Sequence, residues 1–329
     1  MNNILIVVIS FMIKFKIFLS FCCLLITSIH YAQYTDIINS NRPGKSMSAF
    51  SVGKSVMQAE VGLYGVKEDH NLLRYEAQGF GTELDARYGA FFDQFEFILN
   101  TQYQYDWYAA PLINDTRGGF KNATLGAKYL VYDPFIKQDK PNFLSWKANH
   151  QFSWKQFIPA VAVYAGINLN FGKNPYTFPE DKSLSPKVML ITQHHFGSKW
   201  VWVNNIIADK YFTQYPTLGL VSTLTRGFNM RWSGFMEFQG YKSDWYADTV
   251  FRLGTAYLVR ENIQLDCSFT KNVKDTPALL IANVGMAWRL DNNYETNYKR
   301  VKQDKKKDKK KDKKKSMKRK DQVELEKTK

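Results

Sequence analysis

Cysteine is nearly missing from this chain. Of three cysteines, Cys22 and Cys23 fall in an N-terminal apolar stretch, so the rest of the chain keeps Cys267 and no intramolecular disulfide. Exported proteins with small cores usually rely on such bridges, so stability here must come from architecture. Long apolar runs are also missing: after residue 32 none has the length of about 20 residues that a transmembrane helix needs. No transmembrane helix is therefore expected after residue 32, and a membrane anchor helix within 1–32 is the weaker reading because its uncharged run is too short. Histidine is scarce, with His30, His70, His150, His194 and His195, and no Cys/His spacing suits zinc. His194 and His195 are adjacent, so on a strand they point to opposite faces and cannot share one metal. No glycine-rich phosphate loop occurs. These absences leave no cofactor and no catalytic constellation to expect. The one enzymatic reading left is a Ser–His pair meeting across strands, as in a barrel-embedded lipid-modifying enzyme.

What is abundant is aromatic: 24 Phe, 19 Tyr and 8 Trp make up 16% of the chain. Such a share suits a protein that needs many amphipathic rings at an interface. Residues 1–32 read as an export signal, with Lys14 and Lys16 ahead of the apolar run Ile17–Ile29 and a cut before Gln33. Met12 opens a better-formed signal than Met1 and is the start codon expected here. The formal charge of +15 sits mainly in the tail, where residues 291–329 hold 17 Lys and Arg against 8 Asp and Glu. Such a run is expected to stay disordered and solvated. It has no interleaved aromatics, so nucleic acid is not an expected partner. An anionic periplasmic surface or cell-wall polymer is the sharper expectation for it.

Between signal and tail the pattern has period two. In "QFEFILNTQYQYDWY", Phe95, Phe97, Leu99, Thr101, Tyr103, Tyr105 and Trp107 alternate with Gln94, Glu96, Ile98, Asn100, Gln102, Gln104 and Asp106. One face is greasy and the other wet, the mark of a half-buried strand. Segments of this kind recur at 55–66, 73–89, 93–108, 120–133, 157–171, 187–196, 199–211, 216–225, 228–241, 246–258, 262–271 and 277–290. Twelve is an even number, as single-chain bacterial barrels have. Fifteen residues at about 3.3 Å each, tilted by about 45°, rise about 35 Å and cross a hydrocarbon layer. Soluble strands are more often five or six residues long.

Connections after even-numbered segments look short (90–92, 197–198, 226–227, 260–261) and those after odd-numbered ones longer (67–72, 109–119, 172–186, 240–245, 271–276). That sorting is the outer-membrane pattern, with both termini on the periplasmic side. The long stretch 134–156 breaks the rule and is expected to be a short amphipathic helix. The fold class expected is therefore all-β: a transmembrane antiparallel up-and-down barrel of about 12 strands over 55–290, a periplasmic leader or plug over 33–54 and a disordered basic tail over 291–329. The wet faces offer Glu96 and Asp106, then Arg231 and Glu237, with Glu60, Asp85, Arg87, Lys128, Arg252, Asp266 and Arg289 as further lumenal candidates. Mixed charge inside a barrel means either salt-bridged closure or a hydrated pore whose charges tune passage.

The most distinctive stretch is "NSNRPGKSMSAFSVGKSVMQAEVGLYG", Asn39–Gly65. Its Asn41-Arg42-Pro43, the step Ser48–Gly53, and Gln58, Glu60 and Gly62 resemble the opening of the outer-membrane transporter family labelled for the MetA pathway of phenol degradation. It departs in Asn41, where that family usually has Asp, and in Gly53, where Pro is frequent. The resemblance implies a barrel with a transport role; the phenol label is not carried over to the substrate. Read from its own residues, Pro43 forces Arg42 to be extended, and Glu60 alternates onto the wet face. Residues 36–54 are expected to tuck under or into the barrel, with Arg42 pairing a lumenal carboxylate such as Glu60. The function expected is a passive outer-membrane channel for a small solute. The alternative is a closed-lumen structural or binding barrel that acts through its loops or tail.

Overall fold

The computed structural model describes residues 38, 40–134, 157–171, 174–177, 181–197, 199–244 and 246–291. The strands are β1 (Val56–His70), β2 (Tyr75–Gly89), β3 (Phe95–Ala110), β4 (Ile113–Tyr132), β5 (Ala160–Leu169) and β6 (Leu184–Phe196). They continue with β7 (Trp200–Asp209), β8 (Thr217–Gly227), β9 (Trp232–Ser243), β10 (Ala247–Arg260), β11 (Ile263–Asn272) and β12 (Ala278–Asp291). Each pairs with its sequence neighbours, and β12 returns to β1, closing the sheet into a barrel. The all-β, twelve-stranded architecture is thus the one the alternation indicated. The expected signal, the helix in 134–156 and the Lys-rich tail fall almost wholly outside the described residues.

The outward face is apolar. Leu63, Phe80, Leu84, Leu125, Leu220, Met236, Leu253, Phe269 and Val284 are all exposed on it. Rings gather towards both rims. At one, Phe80, Tyr105 and Trp107 touch one another, and Phe120 touches both Tyr103 and Phe171. At the other, Phe91, Phe95 and Phe97 cluster, and Trp202 lies against His194 and Phe196. An apolar band between two aromatic girdles is the surface a bilayer requires. The barrel therefore spans a membrane, with its wet face inward.

Two expectations about the rims are corrected. Residues 109–119 were expected to form a loop; instead β3 and β4 run on to Ala110 and Ile113, with Trp107 opposite Thr116 and Tyr108 opposite Asp115. The ladder continues beyond the apolar band, where Ile113–Thr116 are exposed on both faces and no apolar alternation marks the strand. Because strands are longer than the hydrophobic pattern, the sorting of short and long connections is weaker than expected. Arg231, expected in the lumen, is exposed in the β8–β9 turn. There the Asn229 side-chain oxygen accepts from the amides of Arg231 and Trp232, so the strand starts one residue too late to carry Arg231 inside.

A charge placed on the outward face near mid-barrel would meet acyl chains. Replacing Leu63 by Arg is expected to lower the stability of the folded barrel by about 2–4 kcal/mol, read as a shift in urea midpoint on a heat-modifiability gel. Replacing Leu112 by Arg, at the exposed β3–β4 tip, should leave the midpoint in place.

Candidate functional site

The segment that precedes β1 lies within the lumen, against the inner wall. From Ser40 to Lys54 the chain forms no regular element, so its backbone amides and carbonyls need other partners. The barrel wall provides them. Glu60 on β1 accepts from the amides of Asn41 (3.3 Å) and Arg42 (3.1 Å) and from the Ser40 hydroxyl (2.8 Å). Glu237 on β9 accepts from the amide of Lys45 at 2.8 Å. Asn205 on β7 brackets Met47 from both sides, accepting from its amide (2.6 Å) and donating to its carbonyl (2.9 Å). Gln193 on β6 accepts from Ala49 N (2.9 Å), and Glu96 on β3 accepts from Val52 N (2.8 Å). Lys128 on β4 donates to the carbonyls of Ser48 (2.6 Å) and Phe50 (3.0 Å), and Arg252 on β10 donates to that of Pro43 (3.3 Å).

Side chains of the segment lock in as well. The Arg42 guanidinium donates through Nη1 to Glu83 on β2 (3.0 Å). It donates through Nε and Nη2 to both oxygens of Asp266 on β11 (3.4 and 3.1 Å), and through Nη2 to the Asn283 carbonyl on β12 (2.7 Å). Burial opposes its charge, but Asp266, Glu83 and Glu60 outweigh that and hold its pKa above the ordinary arginine value. Lys45 adds a 2.7 Å contact to Glu83. The pairing differs from the one expected: Glu60 takes the backbone amide of Arg42, while the guanidinium goes to Glu83 and Asp266. Glu83 was absent from the sequence candidates, although it lies on the wet face two residues from Asp85.

Beneath this, Glu96 is fully buried between two cations, Arg87 Nη2 (2.9 Å) and Lys128 Nζ (2.7 Å), and Arg87 also reaches Glu60 at 3.6 Å. Asp85 accepts from the side-chain amide of Asn100. Arg252 approaches Glu237 at 4.0 Å and bonds Thr270. Glu60, Asp85, Arg87, Glu96, Lys128, Glu237, Arg252 and Asp266 all line the interior with Arg42 among them; of the candidates, Arg231 alone is not there. Arg289 donates to the Val52 carbonyl (3.4 Å). Asp106 lies further along β3, bound by Arg117 (2.8 Å) and by the Tyr176 hydroxyl (2.9 Å) from the β5–β6 connection.

One side of the lumen also carries an apolar cluster, set among buried polar groups such as Gln193 and Asn205, which period two did not reveal. Ile98, Leu130, Tyr164, Met189, Ile191, Val203, Ile207 and Val221 form one buried cluster, and Met47, Ala49 and Phe50 of the plug pack on it. Along β6 and β7 both faces carry apolar groups, Leu190 and Trp202 outward and Ile191 and Val203 inward, which blurs the alternation of 187–211. His195 faces inward against Phe50 and Gln193, and His194 outward against Trp202.

A family model described as "Putative MetA-pathway of phenol degradation" matches residues 40–290, from the plug to the last strand. Among solved structures, the COG4313 outer membrane channel from Pseudomonas putida F1 aligns at 11% identity and a TM-score of 0.49, covering 75% of this chain and 99% of that one. The translocator domain of the autotransporter NalP from Neisseria meningitidis aligns at 7% and 0.42, over 72% of this chain and 89% of that one. The CymD monoaromatic hydrocarbon channel aligns at 7% and 0.38, over 72% and 88%. No curated protein matches the chain.

Removing one partner of a buried ion cluster leaves charge without compensation. Replacing Glu96 by Gln strands Arg87 and Lys128, and is expected to destabilise the folded barrel by about 3–5 kcal/mol, measured by urea titration of the folded band.

Proposed function

The chain belongs to this phenol-degradation-labelled family, and on that premise we propose that it is an outer-membrane channel for a small solute, closed at rest by its own leader. The observation that carries the proposal is how the leader is held. Residues 40–54 meet the wall through hydrogen bonds and ion pairs from strands on all sides, with no disulfide or regular pairing to fix them. Contacts of that kind stabilise by about 0.5–1.5 kcal/mol each when neutral and more when charged, and they can be exchanged for water or solute without breaking the wall. The closed ladder needs none of them to remain a barrel.

Both termini belong on the periplasmic side in this reading, so the leader enters from below and the basic tail faces anionic polymer there. The lumen carries an ion cluster and, on one side, an apolar cluster interspersed with polar groups, which suits a solute with both characters better than a plain ion. No step of catalysis is part of the proposal. The competing closed-lumen barrel would keep its leader seated under all conditions.

Exchanging Arg42 for Ala removes the guanidinium contacts to Glu83, Asp266 and Asn283. In planar bilayers the variant is expected to show a severalfold higher single-channel conductance than the wild type, with faster solute entry in liposome swelling. An unchanged trace and unchanged swelling would favour the permanently closed barrel.

A further inference from the structure

The group that Arg42 occupies is built by the wall, not by the leader. Asp266 presents both carboxylate oxygens, Glu83 one oxygen and Asn283 its amide carbonyl, so four acceptors surround the rim of one guanidinium. The Asn283 amide nitrogen donates to Glu83 Oε2 (3.3 Å), which helps hold that carboxylate in position. Two glycines clear the space. A Cβ on Gly62 would fall 2.3 Å from Arg42 Nη1 and one on Gly285 would fall 2.3 Å from Nη2, so any side chain there would collide with the cation. Beside the slot, Ser268 lies opposite Asn283 in register and two residues beyond Asp266. Its hydroxyl is buried and has no hydrogen-bond partner among the described residues, so the arginine leaves it unused.

Resting on the channel reading above, we propose that this slot is a recognition site for solutes bearing a guanidinium or amidinium group, and that such a solute trades places with Arg42 to unseat the leader. A planar cation with donors around its rim matches the acceptors as Arg42 does, in the bidentate geometry that a spherical ammonium cannot reproduce. Arg42 then acts as an internal stand-in for the ligand. Its displacement takes from the leader its contacts to β2, β11 and β12 together, while the wall that receives the solute stays intact. The spare Ser268 hydroxyl offers an additional contact to a ligand larger than the guanidinium itself.

The full-length protein, folded in detergent, is melted in methylguanidinium chloride and in equal tetramethylammonium chloride, which has the charge but no N–H donors. In R42A the slot is free, so methylguanidinium should raise the melting temperature by several degrees and tetramethylammonium should not. Adding Asp266→Asn to R42A should abolish the difference. In bilayers, methylguanidinium should raise the conductance of the wild type above that seen in tetramethylammonium. Equal responses of R42A to the two salts, or a selective response that survives Asp266→Asn, overturn the slot. Equal wild-type conductance in the two salts overturns the exchange with Arg42. If R42A gives no folded band in any salt, the wild-type recording decides between the two. Absence of current from the wild type and R42A, with the selective melting shift intact, removes the channel reading and leaves the slot standing.

Discussion

In hydrocarbon a backbone amide or carbonyl has no water to turn to, and each one left bare costs several kcal/mol. A sheet can satisfy that demand only by closing on itself, and closure here is complete from β1 round to β12. The rest follows. Closure fixes an inside and an outside, period two assigns alternate residues to each, and the residues turned inward form a compartment shielded from lipid. A segment entering that compartment meets the same demand, because its own backbone is unpaired. The leader answers it without becoming a strand: Glu60, Glu96, Gln193, Asn205 and Glu237 take its amides, and Lys128 and Arg252 take its carbonyls.

This accounts for why carboxylates and cations coexist so densely inside. A carboxylate buried beneath the leader, such as Glu96, would be costly alone. It becomes tolerable when Arg87, Lys128 and a leader amide all point at it. Leader and wall are mutually dependent polar surfaces, and the apolar contact of Met47, Ala49 and Phe50 with the cluster on β3–β8 adds area burial on one side only.

Much of this was legible in the chain itself. Strand number and most boundaries follow from alternation, because lipid outside and polar groups inside imprint opposite characters on neighbouring residues. Arg42 and Glu60 stood out through the stiff Arg-Pro step and the strand that follows it. Other features were hidden for physical reasons. The extension of β4 carries Asn114, Asp115, Thr116, Arg117 and two glycines with no apolar face, and that of β3 only Ala109 and Ala110, so their hydrogen-bonded pairing has no hydrophobic signature. The apolar cluster in the lumen blurs alternation on β6 and β7, since Ile191 and Val203 face inward while Leu190 and Trp202 face outward. Glu83 was missed because its role depends on Arg42 arriving from another segment, a coincidence in space that spacing along a single strand does not encode. Arg231 was misplaced because the parity was right but the strand did not extend that far.

Arg42 joins residues from the two ends of the barrel sequence: Glu83 comes from the second strand, Asp266 and Asn283 from the last two. They become neighbours only when the first and last strands have found each other. An unzipped sheet therefore holds only part of the arginine's seat. Arg42 thus bridges the two ends of the sheet, and its full set of partners exists only in the closed barrel.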